Sequence, residues 1–246
     1  MNWQQLADKL VSWIRDRVAD AGGRGTVVGL SGGLDSSVAA VLCRRAFPED
    51  MLAITMPCHS NQEDLEHAQV LADQFSIPAK TVALDTTYNA LLKVLPDDKV
   101  AVEVSRLAQA NLKARLRMLT LYYFANQLNY MVVGSSNRDE LILGYFTKYG
   151  DGGVDIQPLG NLLKGQVREL ARFLSIPRPI IDKPPSAGLW EGQTDEGELG
   201  LSYDQIDRYL ASGEASAAVK KRLEPMIAAS RHKRQAPPVA DLFGER

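Results

Sequence analysis

Hydrophobic and polar residues along the chain follow two patterns, one typical of amphipathic helices and one typical of buried strands. Apolar residues recur at helical spacing over the first twenty residues, and short apolar runs bounded by glycine, proline or polar residues indicate strands. The predicted strands are residues 26–30, 51–56, 81–84 and 130–134. Further helices are predicted near residues 38–42 and over residues 61–75, 86–95, 105–128, 163–174, 203–211 and 216–229.

Strands and helices alternate along this order, which predicts an α/β fold with right-handed crossovers and a parallel sheet. Ligands of such sheets bind beyond the carboxyl ends of the strands. We therefore expect the functional loops to follow Leu30, Met56, Leu84 and Gly134.

The length of the chain suits a single domain over residues 1–246. Residues 182–200 contain prolines and glycines without clear periodicity, and this pattern predicts a mobile, lid-like loop. The part that follows, residues 203–246, is predicted to be mainly helical.

The segment 31–37, Ser-Gly-Gly-Leu-Asp-Ser-Ser, lies between the first predicted strand and a predicted helix. Its glycines permit a tight turn, and a helix N-terminus offers unpaired N–H groups to a phosphate. The serine hydroxyls add donors, and Asp35 is an oxygen ligand suited to Mg²⁺. The segment lacks the Gly-Lys-Ser/Thr ending of a Walker loop and the third glycine of a dinucleotide fingerprint. An ordinary Gly-Ser turn is the alternative interpretation.

Composition narrows the possible partners. The formal net charge is −2, which gives no reason to expect binding to nucleic acid or to an anionic membrane. No apolar stretch approaches the length of a membrane span, and the N-terminus lacks the pattern of a signal peptide. Two cysteines, Cys43 and Cys58, make no disulfide framework. We expect a cytoplasmic protein.

The segment 31–37 resembles the SGGxDS loop of the ATP pyrophosphatases, which cleave ATP between its α and β phosphates and adenylate a substrate oxygen. Further stretches resemble one family among them, the ammonia-dependent NAD synthetases. The resemblance runs from about residue 26 to residue 240. The matching stretches, in order, are Ser31–Ser36, Asn111–Met118, Gly134–Asn137 with Glu140, Gly144–Gly152 with Asp155, Lys183–Ala187, Gln193–Glu196 and His232–Arg234.

The resemblance implies an adenine-nucleotide alpha-hydrolase-like (Rossmann-like) fold with a parallel five-stranded sheet flanked by helices. It also implies the reaction of that family. ATP adenylates the carboxylate of nicotinic acid adenine dinucleotide (deamido-NAD), and ammonia then displaces AMP to give NAD. The implied cofactor is Mg²⁺ and the implied assembly is a homodimer, to whose surface the helix over residues 105–128 and its aromatic residues 122–124 would contribute.

Site residues are carried over from the family by position. The implied ATP contacts are Gly29, Leu30, Ser31, Gly32, Gly33, Leu34, Asp35, Ser36, Ser135, Lys164 and Thr194. The implied deamido-NAD contacts are Arg115, Lys148, Asp155, His232 and Lys233. Asp35 and Glu140 are the implied Mg²⁺ ligands. Ser135 stands where the family typically has threonine, a change that keeps the hydroxyl and loses a methyl contact.

Ammonium must lose a proton before it attacks, and we expect Asp151, in a glycine-rich turn, to help in that step. The candidate catalytic residues are therefore Asp35 and Asp151. Each assignment has a plainer alternative: Asp151 would hold its turn, Asp35 would cap a helix and Glu140 would be a surface carboxylate. Arg115 would lie on a solvated helix face, and the basic run 231–234 would be an exposed tail.

Two other functions share the nucleotide loop. One is a different ATP pyrophosphatase, making GMP, argininosuccinate or a thiolated tRNA, and the other is an ATP-binding sensor without catalysis. Thiolation enzymes usually carry catalytic cysteines and a basic RNA-binding surface, which the sequence does not show. The chain offers no room for a glutamine-hydrolysing domain, so we expect free ammonia or ammonia from a separate glutaminase.

Overall fold

The computed structural model describes residues 1–96, 102–186, 188, 190 and 192–240. Its four strands are β1 Gly25–Gly29, β2 Met51–Thr55, β3 Ala79–Thr81 and β4 Tyr130–Val133. The helices among the described residues are α1 Trp3–Asp20, α2 Leu34–Ala46, α3 Gln62–Gln74, α4 Asp85–Val94, α5 Val102–Leu128, α6 Arg138–Leu143, α7 Lys164–Phe173, α8 Arg178–Asp182, α9 Asp195–Leu199, α10 Tyr203–Ser212 and α11 Ala217–Ala229. A 3-10 turn, Arg231–Lys233, follows α11.

The strands form one parallel sheet in the order β3-β2-β1-β4, which confirms the expected α/β fold. Five strands were expected, and the described residues form four. The place beside β4 is taken by a single parallel bridge between Val133 and Ile156. This bridge does not extend into a strand because Gly152 and Gly153 precede it and Pro158, which has no N–H to donate, follows it.

Alternate residues of the central strand face opposite sides of the sheet, as strand geometry requires. Val28 packs with residues of α1, α2 and α7, and Val27 packs with residues of α4 and α5. Both faces of the sheet are therefore covered by helices, as expected for parallel strands. A third cluster joins α6 to the C-terminal helices through Leu143, Ile206 and Leu223.

Most predicted elements are found within a few residues of their predicted bounds, with instructive exceptions. The third strand was predicted at residues 81–84 and is found at Ala79–Thr81, because Leu84 is buried at the N-terminus of α4. Short helices α6, α8 and α9 were not predicted, and α9 lies within the segment predicted to be a loop. No helix of the described residues is both long and apolar enough to cross a membrane.

Candidate active site

The nucleotide loop, residues 31–37, connects β1 to α2 and is held by its own serines. The hydroxyls of Ser36 and Ser37 both donate to the Gly33 carbonyl, at 3.0 and 2.8 Å. The Ser31 hydroxyl lies 2.9 Å from that of Ser36. The first turn of α2 leaves backbone N–H groups without helical partners, and its dipole favours an anion there. The loop thus has the geometry that favours an anion at the carboxyl end of β1.

Gly32 is required by this geometry. Its φ is +80°, and a Cβ built on it would lie 2.0 Å from the carbonyl oxygen of Asp64. A larger residue would therefore both strain the backbone and push the loop away from α3.

The two predicted metal ligands, Asp35 and Glu140, are brought together by Asn137. Asn137 caps α6: its side chain accepts from the Glu140 N–H at 3.0 Å, and its own N–H donates to Glu140 Oε2 at 3.2 Å. The same side chain donates to Asp35 Oδ1 at 3.0 Å. Asn137 is fully buried, so one amide orients both carboxylates.

Lys164 completes this cluster. Its ammonium forms a short ion pair with Asp35 Oδ2 and lies 3.7 Å from Glu140 Oε1, and the residue is 3% exposed. Burial by itself would lower the pKa of Lys164, but the carboxylates of Asp35 and Glu140 raise it more. Burial, followed by the nearby charge of Asp35, raises the pKa of Glu140 to about 8. Two carboxylates from different loops therefore converge on one cation.

That convergence fits Mg²⁺, which usually binds through one or two carboxylates and completes its shell with phosphate oxygens and water. Asp35 and Glu140 supply hard oxygen ligands beside the loop where the phosphates would lie. Among the residues that the structure describes, no three or more His, Cys, Asp or Glu side chains form a metal-binding group.

Two aspartates that sequence analysis did not single out hold the N-terminus of α7. Asp139 Oδ2 accepts from the Lys164 N–H at 2.8 Å, and Asp207 Oδ2 accepts from the Gly165 N–H at 2.9 Å. Burial and the neighbouring Asp207 raise the pKa of Asp139 to about 8. Lys164 is therefore fixed at its backbone by carboxylates from α6 and α10.

The remaining implied ATP contacts flank this cluster. Ser135 is half-buried directly after β4. Thr194 caps α9, and its hydroxyl oxygen accepts from the Gly197 N–H at 3.3 Å. The next residue, Asp195, accepts from the Tyr203 hydroxyl at 2.9 Å, and the Tyr203 ring centre lies 5.0 Å from the Lys164 ammonium.

Of the residues implied for deamido-NAD, Arg115, Lys148 and His232 are linked by hydrogen bonds to backbone carbonyls, and Lys233 donates to carbonyls of the loop that carries Lys148. Arg115 donates to the Lys148 carbonyl at 3.3 Å, and the Lys148 ammonium donates to the His232 carbonyl at 2.6 Å. Lys233 donates to the carbonyls of Gly144 and Phe146, both at 2.8 Å. We call Arg115, Lys148, His232 and Lys233 the basic cluster. The run 231–234 is thus docked against the loop that carries Lys148, although Arg231, His232 and Arg234 remain exposed as the alternative of an exposed tail expected.

Asp155, the fifth of these residues, lies outside the described contacts of the basic cluster. It accepts from the Tyr122 hydroxyl at 2.9 Å and from the Val132 N–H, in β4, at 2.7 Å. Burial and this hydrogen bond raise the pKa of Tyr122. The carboxylate of Asp155 therefore ties the chain after the glycine-rich turn to the sheet.

Asp151 holds its turn, as the plainer interpretation expected. Its Oδ1 accepts from the Thr147 N–H at 2.9 Å, and the Thr147 hydroxyl donates to Asn111 at 2.7 Å. The surrounding protein raises the pKa of Asp151, against opposing effects of the Thr147 N–H and Lys233. The residue is exposed, in the turn between Thr147 and Gly153.

Asn137, Asp207 and Arg117 were not among the predicted site residues, although Asn137 and Arg117 lie in stretches that resemble the family. The spacing Asn137-x-x-Glu140 is that of a capping box, a signal that was present in the sequence. Arg117 donates to the Met56 carbonyl at 3.2 Å and to the Ser60 hydroxyl at 3.3 Å, beyond the end of β2. Asp207 accepts a hydrogen bond from Gly165, which is distant in the sequence, so no local sequence pattern indicates this contact.

Comparisons with known proteins extend over nearly the whole chain. A family model described as NAD synthase matches residues 6–237. The NH₃-dependent NAD⁺ synthetase of Carboxydothermus hydrogenoformans is 51% identical, over 97% of this chain and 98% of its own.

Two solved structures are also similar. An NMN synthetase from Francisella tularensis superposes with a TM-score of 0.92 at 37% identity, covering 98% of this chain and 100% of that one. An NH₃-dependent NAD synthetase from Campylobacter jejuni superposes with a TM-score of 0.80 at 30% identity, with the same coverage of 98% and 100%.

Proposed function

The chain belongs to the NAD synthase family, and we propose that it makes NAD from deamido-NAD, ammonia and ATP through an acyl-adenylate. The observation that carries this proposal is the convergence of Asp35, Glu140 and Lys164 beside the nucleotide loop. It supplies two ligands for a divalent cation and a buried cation at the helix N-terminus where phosphates would bind.

In the first half-reaction a carboxylate oxygen of deamido-NAD attacks the α-phosphorus of ATP. The bond to the bridging oxygen breaks, and pyrophosphate leaves. The nucleotide loop would hold the phosphates through backbone N–H groups, and Lys164 would offset their charge. Mg²⁺ held by Asp35 and Glu140 would neutralise charge on the phosphate oxygens. The basic cluster would hold the dinucleotide so that its carboxylate lies near the α-phosphate.

In the second half-reaction ammonia attacks the acyl carbon, and AMP leaves with the electron pair of the broken C–O bond. Because ammonia is mostly protonated at neutral pH, a base must first take a proton from ammonium to give this nucleophile, and the further proton lost when the amide forms goes to solvent. Asp151 is the candidate, because it is a carboxylate in an exposed turn and its pKa is raised above the ordinary value of an aspartate.

The test is an assay of purified protein with ATP, Mg²⁺, ammonium chloride and deamido-NAD, in which NAD and pyrophosphate are measured together. We expect equal amounts of both and no pyrophosphate when deamido-NAD is omitted. Pyrophosphate release that does not depend on the dinucleotide would contradict the proposal. ATP binding without turnover would favour the sensor.

A mononucleotide substrate is the second candidate. It is favoured by the NMN synthetase structure, whose TM-score of 0.92 exceeds the 0.80 of the NAD synthetase structure. The acceptor would then be nicotinic acid mononucleotide, with the same adenylation and amidation chemistry. The ratio of kcat/KM for the two acceptors decides between them: a ratio above one for deamido-NAD supports the first proposal.

We also propose that two copies associate through the exposed face of α5. Leu107, Leu119 and Tyr123 lie on this helix and are 56%, 60% and 60% exposed. Large apolar side chains left exposed to solvent are typical of interaction sites on soluble proteins. Replacing Leu119 with aspartate should convert a dimer to a monomer in analytical ultracentrifugation, whereas a monomeric unsubstituted protein would contradict the proposal.

A further inference from the structure

The ammonium of Lys164 lies against both of the carboxylates that would bind the metal, Asp35 and Glu140. It forms a short ion pair with Asp35 Oδ2 and is 3.7 Å from Glu140 Oε1. The two carboxylates are 14% and 18% exposed, so neither is free to turn into bulk solvent. A divalent cation between them would meet a like charge at close range.

The position of Lys164 on its helix makes this placement unusual. Lys164 is the first residue of α7, where the helix dipole disfavours a positive charge. Helix formation therefore gives no reason for a lysine here, and the carboxylates of Asp35 and Glu140 are what favour its charge.

The backbone of Lys164 cannot easily move away from the pair. Its N–H donates to Asp139, and the N–H of Gly165 donates to Asp207. A Cβ at Gly165 would lie 2.7 Å from Asp207 Oδ2, so the glycine allows this close approach. Any displacement of the ammonium is therefore a rotation of the side chain about a fixed backbone.

A destination for the ammonium is close by. Asp35 lies in the first turn of α2, beside the N–H groups that would bind the phosphates of ATP. Phosphate oxygens bound there are negatively charged, as the Asp35 carboxylate is, so they could replace that carboxylate as the partner of the Lys164 ammonium. Without a nucleotide, no such partner is present.

We propose that Lys164 is the resident counter-cation of the Asp35–Glu140 pair, and that its transfer to the phosphates of ATP makes Mg²⁺ binding depend on ATP. The inference rests on the proposed function in one respect, namely that this pair holds the metal. The Lys164 ammonium would then pair with the carboxylates in the free protein and with the phosphates in the ATP complex.

The test is Mn²⁺ binding to the full chain without nucleotide, followed by the electron paramagnetic resonance signal of free Mn²⁺. We expect Lys164→Met to bind Mn²⁺ at least tenfold more tightly than the unsubstituted protein, because the competing charge is gone. The same variant should bind ATP less tightly. Opposite changes in the two affinities distinguish this role from a loss of structure, which would weaken both.

Lys221→Met is the matched control, because it removes the same charge from an exposed position on α11 and should leave Mn²⁺ binding unchanged. The double variant with Asp35→Asn and Lys164→Met should lose the increase in Mn²⁺ affinity, because a metal ligand is gone. If Lys164→Met does not fold, Lys164→Gln gives the same comparison, with circular dichroism as the check on folding.

Mn²⁺ binding by the folded variant that is equal to or weaker than that of the unsubstituted protein would overturn the inference. The experiment contains neither dinucleotide nor ammonia. A failure to form NAD in the activity assay is therefore a separate result.

Discussion

The residues proposed to bind ATP and those proposed to bind the dinucleotide differ in how their cations are held. On the ATP side, the buried ammonium of Lys164 faces the carboxylates of Asp35 and Glu140. On the dinucleotide side, Lys148 and Lys233 are held by neutral backbone carbonyls. None of the ion pairs found in the described part of the chain includes a residue of the basic cluster.

This difference separates two ways of binding an anion. Charges that neutralise one another on the ATP side can remain buried before the substrate arrives, since buried charges require partners. Cations held by carbonyls keep their full positive charge, and they are available to a pyrophosphate or carboxylate. In the proposed site, the ATP side thus carries an ion pair between buried residues, whereas the cations of the basic cluster form none of the ion pairs found in the described part of the chain.

Asp35→Asn is the variant expected to have the largest effect. It removes a metal ligand and leaves Lys164 with a more distant partner, so kcat should fall at least about 1000-fold and the free energy of unfolding by the order of 3 kcal/mol. Rates of pyrophosphate release and urea unfolding measure the two effects.

Asp20→Asn is its control, because the Asp20–Arg17 pair has side chains that are 64% and 47% exposed. Breaking such a surface pair should change stability by less than about 1 kcal/mol. An equal loss in the free energy of unfolding for both variants would show that the Asp35–Lys164 pair contributes no more than an exposed ion pair.

Asp151→Asn is expected to separate the half-reactions. The amide oxygen can still accept from the Thr147 N–H, so the turn should persist. The amide is not a base, so amidation should slow by about 100-fold while adenylation is unchanged. Rapid-quench measurements of AMP-ester formation and of NAD formation test this, and unchanged amidation would remove Asp151 from the mechanism.

Lys148→Met tests whether the basic cluster binds the dinucleotide. Loss of a charged hydrogen bond should raise the KM for deamido-NAD by about 10- to 100-fold. The KM for ATP should stay the same. In the control variant Lys221→Met, the KM for ATP and the KM for deamido-NAD should both stay the same. An equal rise in both KM values would show that Lys148 does not distinguish the two sides.

The ATP side was easier to predict from the sequence because its key features are local. The segment 31–37 contains its own turn, hydroxyls and helix start, and all were found in place. The pairing of Asp35 with Glu140 required the family resemblance, although the capping spacing of Asn137 and Glu140 was visible. Asp207 could not be predicted, because only the packing of α10 brings it to α7.

The dinucleotide side depends on contacts between distant stretches. The basic run 231–234 gave no local sign that it docks on the loop of residues 144–148. Its cations bind carbonyl groups, which every residue has, so composition and spacing carry no information about the partner. The hydrophobic pattern predicted four strands, and the described residues form four; the fifth strand was implied by the family resemblance, and beside β4 the structure has only the single bridge between Ile156 and Val133.

Ser135→Thr should have the smallest effect, and it sharpens the comparison from the ATP side. The added methyl group would bury a further hydrophobic contact worth about 0.8 kcal/mol, which corresponds to a roughly fourfold lower KM for ATP. Ser135→Ala should instead raise that KM by about tenfold, since a hydrogen bond to a charged phosphate is lost. Neither variant should alter the KM for deamido-NAD, because Ser135 follows β4 on the sheet edge that faces the nucleotide loop. A change in the KM for the dinucleotide alone would place Ser135 on the other side of the site.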